Sequence, residues 1–555
     1  MLALPQRTAP GPGYDVVVIG GGVNGAGAAR DCAMRGLRVL LLEKADFGVG
    51  ASGNSSGMIH GGIRYMLSDR HVTELACRDA GYIRRIAPHL VFRIPFLMPF
   101  VSRGEEGTLL ERATWYATEV YVGTYDLYQP LKGGRPSTRL SAEELYALEP
   151  GLRPGLGGAV TLDEWGIDAH RLCVLNALSA EQHGAELRTW TEAVEVLRQG
   201  GRVVGVRWRD ALTGEAGEAR AAVVFNAAGA WSPELGRRTG VAVPMRPGKG
   251  VHLSLDRRWS NYGVICAAVD GRQMFLMPHE NESIIGTTDD DYYGDPDDLE
   301  ATADEVEYLL EGVESLVPGV RRARVTRAWS GLRTTLYEYG KNEDDLSREH
   351  QIYDHAAEGA AGLLSFVGGK LASYRAQAQE ATDRIAALLG RPLERCRTHE
   401  EPLPGGEPAP SPADLARRHG VAEAAAARIV YRHGALADEV LSLCQEDPRL
   451  KLAVCRDEGI LAAEVVHVVR HERVRRLQDL RRRIRLATAG CGGLDCARLA
   501  AQLAGRELGW SADQVRAELA DLLEVGWRER RTVLDGHQLA AEELLRSAHR
   551  GLGGL

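Results

Sequence analysis

A chain of 555 residues, 44% of them hydrophobic, is long enough for three or four domains, and its composition excludes a disordered or fibrous protein. The formal net charge of −9 leaves no basic surplus for a phosphate backbone, so nucleic acid is not an expected partner. Nine scattered cysteines, an odd number, argue against a disulfide framework.

No run of 18 apolar residues occurs, so no transmembrane helix is expected. Residues 1–13 lack the apolar core of a signal peptide and read as a flexible lead-in to the first strand. The expected location is cytoplasmic.

Asp15 is followed by Val16, Val17, Val18 and Ile19, which suits a buried parallel strand. Gly20, Gly22 and Gly25 then stand in the G-x-G-x-x-G spacing, Ala26 to Arg35 fits a helix, and Val39 to Leu42 is a second apolar run ending in Glu43. Gly20 lets the chain turn off the strand, Gly22 lets the backbone approach a pyrophosphate, and Gly25 lets helix and strand pack closely. The helix N-terminus offers free N–H groups to phosphate, and Glu43 can accept from a ribose hydroxyl pair. The strand before, the helix after and the acid about 20 residues on make this a dinucleotide half-site. An acid there disfavours NADP and leaves NAD and FAD open.

The stretch 51–65 is rich in Ser, Gly and Asn and ends in His60-Gly61-Gly62-Ile63-Arg64-Tyr65, a functional loop on a rigid scaffold. From about 70 to 150, amphipathic stretches alternate with Pro-rich turns at Pro95 and Pro99, read as an insertion leaving the nucleotide domain. Residues 163–176 read as a turn and a helix. Gly184 to Trp190 and Val203 to Trp208 read as strands, the second in a hairpin around Gly200-Gly201. At 221–232 an apolar strand runs into the small-residue turn Asn226 to Gly229. Residues 243–290 look β-rich, a helix opened by Thr302 follows, and a strand from Val325 ends at Arg333. A strand, Gly368-Gly369, Lys370 and a helix come next, again aiming a helix N-terminus at a ligand. Residues 402–412 hold five Pro and read as a linker to a helical domain over 413–555. Its run Arg473 to Arg485 reads either as a solvated face paired to nearby acids or as a patch attracted to anionic lipid.

These motifs together resemble the FAD-dependent glycerol-3-phosphate dehydrogenases of bacteria and mitochondria. The matching residues are Asp15 to Gly25 with Gly27 to Asp31, Ser56 to Tyr65, Asn226 to Gly229, Lys249 to His252, Ile285 to Asp289, Ser330 to Arg333 and Gly368 to Arg375. The resemblance implies an α/β chain with a doubly wound, glutathione-reductase-like FAD domain over 14–75, 155–245 and 355–395. A β-rich substrate cap over 76–154 and 246–354 would interrupt it, and an all-helical C-terminal domain would follow. It implies FAD as cofactor, held by Gly20, Gly22, Gly25, Glu43, Ser55, Ser56, Gly57, His60, Val194, Ala228, Gly229, Gly368, Gly369, Lys370 and Leu371. It implies sn-glycerol 3-phosphate as substrate, bound by Arg64, Tyr65, Arg333, Lys370 and Ser373, with His252, Arg333 and Lys370 catalytic and His60 the alternative base. A cationic set of this size suits a phosphate monoester.

Electrons are expected to pass to a quinone, with the protein peripherally bound to the inner face of the membrane; a homodimer and partner subunits stay open. The rival readings are an oxidase or dehydrogenase of the D-amino-acid-oxidase type, a glycerol-3-phosphate oxidase using oxygen, and a flavin-bearing subunit that binds a partner without turnover. Two departures stand out. Ala372-Ser373 replaces a common Thr-Thr pair. Cys455, Cys491 and Cys496 fall one thiolate short of the four that a [2Fe–2S] cluster takes, so the site reads as vestigial and no metal is expected. Cys444 is a spare thiol at the wrong spacing.

Overall fold

The computed structural model describes residues 13–67, 69–100, 109–340 and 349–551. Of the expected flexible lead-in, residues 1–12 lie outside the described residues. Two large sheets organise the chain before residue 400.

The first sheet has eight strands, with Tyr14–Ile19 central between Val39–Leu42 and Ala216–Asn226 and parallel to both. Leu363–Gly368 extends it in parallel beyond Ala216–Asn226. The unbroken valine run is explained by burial on both faces: Val16, Val17 and Val18 are all fully buried. The two-residue period then sorts them. Val16, Val18, Val39 and Leu41 meet a helical layer, while Val17, Ile19, Leu40 and Leu42 meet Ala193, Val196, Val206 and Trp208. The helical layer is Val23–Met34 with Ala169–Gln182 and Tyr374–Leu389. Small residues permit its close approach, since a Cβ on Gly27 would sit 2.9 Å from the Tyr374 ring.

The second sheet has nine strands, mostly antiparallel, with Arg246–Leu255 paired along its length to Val325–Thr335. The helix Ala303–Glu314 packs on it through Val306, Leu309 and Val313, and opens on a capping box between Thr302 and Glu305.

Four readings change. Pro95 and Pro99 are not in turns but inside the strand Val91–Phe100, which pairs with Gly158–Ile167. Four residues apart, they lack donors on the same side of the strand, so the other side keeps its ladder bonds. Residues 163–167 are likewise strand rather than turn. Gly158–Ile167 belongs to the second sheet and His350–Asp354 to the first, so the boundaries expected at 155 and 354 both move. The C-terminal part is helical except for a two-stranded ribbon, Ala453–Cys455 with Ile460–Leu461.

The segment 402–411 is pinned rather than loose. Leu403 is fully buried and donates to the Ile86 carbonyl, and Ala435 donates to the Gly405 carbonyl. Pro412 opens the helix Pro412–His419, where a missing N–H costs nothing.

The basic run is paired to acids, as one of its two readings held, but most of it is buried rather than solvated. Arg483 is fully buried against Asp46, which Arg482 also reaches at 2.6 Å. Arg475 meets Asp210 at 2.8 Å, Arg476 meets Glu518 at 2.5 Å, Arg481 meets Glu529 at 2.5 Å and Arg485 meets Glu458 at 3.0 Å. Arg473 pairs with Glu181. Charges already neutralised by protein carboxylates are not left to attract anionic lipid. The run fastens the C-terminal domain to the first sheet.

Candidate active site

Three turns leave the carboxyl ends of neighbouring parallel strands, where open α/β sheets bind ligands. The first follows Tyr14–Ile19. Gly20 has φ +104°, and a Cβ there would meet the Ala227 carbonyl at 2.5 Å. A Cβ on Gly25 would lie 1.9 Å from the Gly20 carbonyl, so helix and turn close only on glycine. Gly22 differs. Its Cβ would meet only Ser52 Oγ, at 3.3 Å, so packing does not demand glycine there. The helix Val23–Met34 starts without a cap from its own N-terminal residue, and Val23 N–H donates to Ser52 Oγ at 3.0 Å. This is a cradle that backbone N–H groups line and a Cβ would narrow, which fits a pyrophosphate. Glu43 stands at the end of the next strand; its carboxylate accepts from Gly21 N–H at 2.6 Å and Ala45 N–H at 2.9 Å. Burial pushes its pKa up against those bonds.

The second turn, Ala227 to Gly229, is ordered by Asn226, whose amide oxygen accepts from Ala228 N–H and Ser232 Oγ and whose amide nitrogen donates to Ser365 Oγ. Gly229 has φ +58° and open space at its Cβ. The third is Gly368-Gly369, both at positive φ, followed by Lys370 and the short turn Leu371–Ser373. Val194 sits at a bulge of the strand Thr191–Gln199.

The 51–65 loop crosses from the first sheet to the second. Ser55 Oγ donates to the Ser52 carbonyl and accepts from Gly57 N–H. The Gly57 carbonyl accepts from Ile167 N–H, and Ile59 N–H donates to the Trp165 carbonyl. Ser56 Oγ meets His252 Nε2 at 2.8 Å. Further along, the Lys370 ammonium lies 4.2 Å from the Tyr65 ring centre and the exposed Arg64 guanidinium 5.9 Å from it. Burial first, then Lys370, Lys132 and Arg64, push His60 down to about 3. The loop therefore runs past three cationic side chains, Lys370, Lys132 and Arg64.

His252 sits inside the strand Arg246–Leu255, 2% exposed and stacked on Trp329 at 5.3 Å. Burial, and secondarily Arg333, push it down to about 3, so the imidazole is neutral at pH 7. Arg333 donates to Asp289 Oδ1 at 2.8 Å, to the Thr288 carbonyl at 3.1 Å and to Thr287 Oγ1 at 3.0 Å. Two glycines clear the space: a Cβ on Gly286 would meet the His252 ring at 2.5 Å, and one on Gly250 would meet Arg333 at 2.7 Å.

The structure thus brings together Ser56, His252 and Arg333, and separately His60, Arg64, Tyr65 and Lys370 along the same loop. Ser373 is not among them as an offered hydroxyl. It is buried, accepts from Gln377 at 2.8 Å and faces the Lys370 carbonyl. Trp329, Ser52 and the Thr287–Asp289 clamp carry roles that residue type alone did not reveal. Cys496 interacts with both Cys455 and Cys491; Cys491 is pushed down to about 6 by hydrogen bonding with Cys496, and Cys496 is pushed up. Cys444 stands apart on Ala437–Glu446. A concavity of about 650 Å³ lined by Tyr14, Arg202 and Arg220 lies at the start of Tyr14–Ile19, the end away from Gly20.

The strand-end crevice, the glycine turn and the helix N-terminus define a dinucleotide-binding protein of the doubly wound α/β kind. The family model described as FAD dependent oxidoreductase matches residues 15–375, and the C-terminal domain of alpha-glycerophosphate oxidase matches 396–515. The chain is 33% identical over 99% of its length, and 98% of the relative's, to an anaerobic glycerol-3-phosphate dehydrogenase of Escherichia coli. It is also 33% identical, over 92% of its length and 87% of the relative's, to glycerol-3-phosphate dehydrogenase 2 of Mycobacterium bovis. The glycerol-3-phosphate dehydrogenase of Bacillus halodurans, solved with FAD, has the same fold at TM-score 0.75 and 24% identity, covering 94% of this chain and 96% of that one. The chain belongs to the FAD-dependent glycerol-3-phosphate dehydrogenase family.

Proposed function

We propose that this chain oxidises sn-glycerol 3-phosphate to dihydroxyacetone phosphate. The observation that carries the reading is a neutral, buried His252 with Arg333 beside it, at one end of a loop whose other end brings Arg64 and Lys370 to the Tyr65 ring. A phosphate monoester suits the cations of Arg64 and Lys370, and a secondary alcohol suits the imidazole. Bound FAD supplies the hydride acceptor. His252 takes the C2 hydroxyl proton at Nε2, the nitrogen now facing Ser56. Arg333, fixed by Asp289 and Thr287, stabilises the alkoxide as charge develops. Asn226, Gly20 and Gly25 hold the crevice to shape. A single amino-acid carboxylate would need fewer cations, which sets the amino-acid-oxidase reading second.

The acceptor we propose is a quinone, reached at a membrane leaflet. Among the described residues no helix is long and apolar enough to cross a membrane. Support for leaflet contact comes from apolar side chains rather than the arginine run. Tyr116 and Val120, 57% and 69% exposed, stand one turn apart on Leu109–Tyr125, and Leu67 at 70% follows the substrate loop. Tyr121 of the same helix donates to the Ile63 carbonyl, so helix and loop are one unit.

The test is anaerobic titration of the purified flavoprotein, following flavin absorbance. One equivalent of glycerol 3-phosphate should bleach the oxidised band, and glycine, D-alanine and glycerol should not. Bleaching by an amino acid but not by glycerol 3-phosphate would overturn the reading.

A further inference from the structure

The seam between the C-terminal helices and the first sheet holds a cluster that the flavin chemistry does not use. His467 and His471 stand one turn apart on the helix Ala462–His471, and Glu472 caps it. His433 approaches from the end of Glu423–His433, its ring centre 5.5 Å from that of His467. His433, His467 and Glu472 are all buried, at 1%, 3% and 4% exposure. One ligand atom from each lies within 4.8 Å of the other two.

The hydrogen bonds around the cluster leave its ligand atoms facing inward. His433 Nε2 meets Glu464 Oε1 at 3.2 Å, and a carboxylate only accepts, so the ring proton is at Nε2. Glu464 is fixed in turn by Arg428. Glu472 Oε2 accepts from Arg171 Nη1 at 2.5 Å. What remains is His433 Nδ1, buried and without a hydrogen-bond partner, facing Glu472 Oε1 across 3.8 Å. In the neutral ring, two lone-pair atoms confront each other where a cation would relieve both. Histidine with its second nitrogen on a carboxylate is also the arrangement that orients metal-bound imidazoles.

We propose that His433, His467 and Glu472 form a divalent metal site that takes Zn²⁺ or an ion of similar borderline softness. Two imidazoles and one carboxylate suit that class better than Mg²⁺ or Ca²⁺, which prefer oxygen shells. With Zn–N of about 2.0–2.1 Å, tetrahedral neighbours stand about 3.3–3.4 Å apart, so the 3.8 Å gap closes by a few tenths of an ångström. A second set, Glu439, His467 and His471, shares His467 and reaches the surface, which supplies a route in for the ion. The site would tie two C-terminal helices through Glu472 and Arg171 to Ala169–Gln182, the helix whose His170 and Cys173 back the Gly48–Gly53 turn.

The test uses the flavin-bearing protein, stripped with EDTA and titrated with Zn²⁺ and, for its spectrum, with Co²⁺. The wild type should bind one Zn²⁺ per chain at this site and gain thermal stability on binding. His433→Gln and His467→Gln, each checked for full flavin content, should bind it at least about tenfold more weakly, the usual scale for a lost ligand or its support. The Cys491→Ser/Cys496→Ser double variant should bind as the wild type does, and its Co²⁺ form should lack sulfur charge-transfer absorbance. No binding by the wild type would overturn the proposal. So would binding lost in the cysteine variant and kept in both histidine variants, which would place the ion on the thiols. The wild-type titration depends on no variant folding.

Discussion

The flavin crevice and the arginine clasp at 473–485 use the same chemistry to opposite ends. In the crevice, glycines hold the backbone close, His252 stays neutral, and the cations Arg64 and Lys370 gather beside one tyrosine ring. In the clasp, each guanidinium from Arg473 to Arg485 meets a carboxylate, and Arg483 and Asp46 are both fully buried. The first arrangement gathers cations on one aromatic face beside the strand ends; the second sets each guanidinium against a carboxylate from elsewhere in the fold. The count of arginines in a stretch therefore says little about what they do.

The sharpest way to break the comparison is at the glycines. Gly25→Val places a side chain 1.9 Å from the Gly20 carbonyl, and we expect no soluble folded protein. A Cβ at Gly22 meets only Ser52 Oγ, so Gly22→Val should fold with a wild-type circular dichroism spectrum yet purify colourless. If Gly22→Val retains its flavin, Gly22 does not face the pyrophosphate.

Next in size is Arg333→Ala. Losing a donor to developing charge costs about 100-fold or more, so kcat/KM should fall at least that far with kcat carrying the loss. Arg64→Ala should mainly raise KM, because a phosphate contact binds ground and transition states alike. Equal kcat in wild type and Arg333→Ala would remove it from the chemistry.

In the clasp the readout is stability. Asp46→Ala leaves Arg483 buried without its carboxylate, and breaking a buried pair from one side costs about 3–5 kcal/mol. Urea unfolding should show it as a lower midpoint that added salt does not mimic, since a buried pair is poorly screened. A change below about 1 kcal/mol, the scale of an exposed pair, would mean that the run is solvated after all.

The two regions also differ in how far the sequence disclosed them. The crevice was legible because its constraints are local. Gly20, Gly22 and Gly25 lie within six residues, and the alternation of Val16 to Ile19 against two layers follows from a buried parallel strand. The clasp was not legible, because Arg483 finds Asp46 more than 400 residues away and no spacing within 473–485 encodes that. Pro95 and Pro99 misled for a related reason: proline signals a turn locally, while a ten-residue pairing with Gly158–Ile167 overrides it. Ser373 has the residue type of a phosphate ligand, and only the turn around Lys370 shows its hydroxyl facing Gln377.

The smallest effect lies where the two regions meet. His89 fills the space beside Gly434 at the seam, where a Cβ would meet its ring at 2.9 Å, and both its ring nitrogens are buried without hydrogen-bond partners among the described residues. Burial, with a secondary push from Arg171, lowers it to about 3, as burial does for His252 and His60. In the unfolded chain each imidazole takes a proton near pH 6.5 and in the folded chain it does not. The unfolded state then binds more protons, so stability falls as pH drops from about 6.5 toward 3. The depressed carboxylates Asp46 and Glu472 lose their contribution only below about pH 4.5, where unfolded carboxylates protonate. Asp479, pushed up to about 6 by burial beside Asp46, acts in the opposite sense between pH 6.5 and 5, because the folded state takes its proton first. Comparing His89→Leu with the wild type cancels that term and the other histidines. The variant should match the wild type at pH 7 to within about 1.5 kcal/mol, as a near-volume-conserving change does, and should lose less stability between pH 6.5 and 5. Equal losses in the two proteins would mean that His89 reaches water or a partner when it charges, and that the seam is wetter than its buried nitrogens imply.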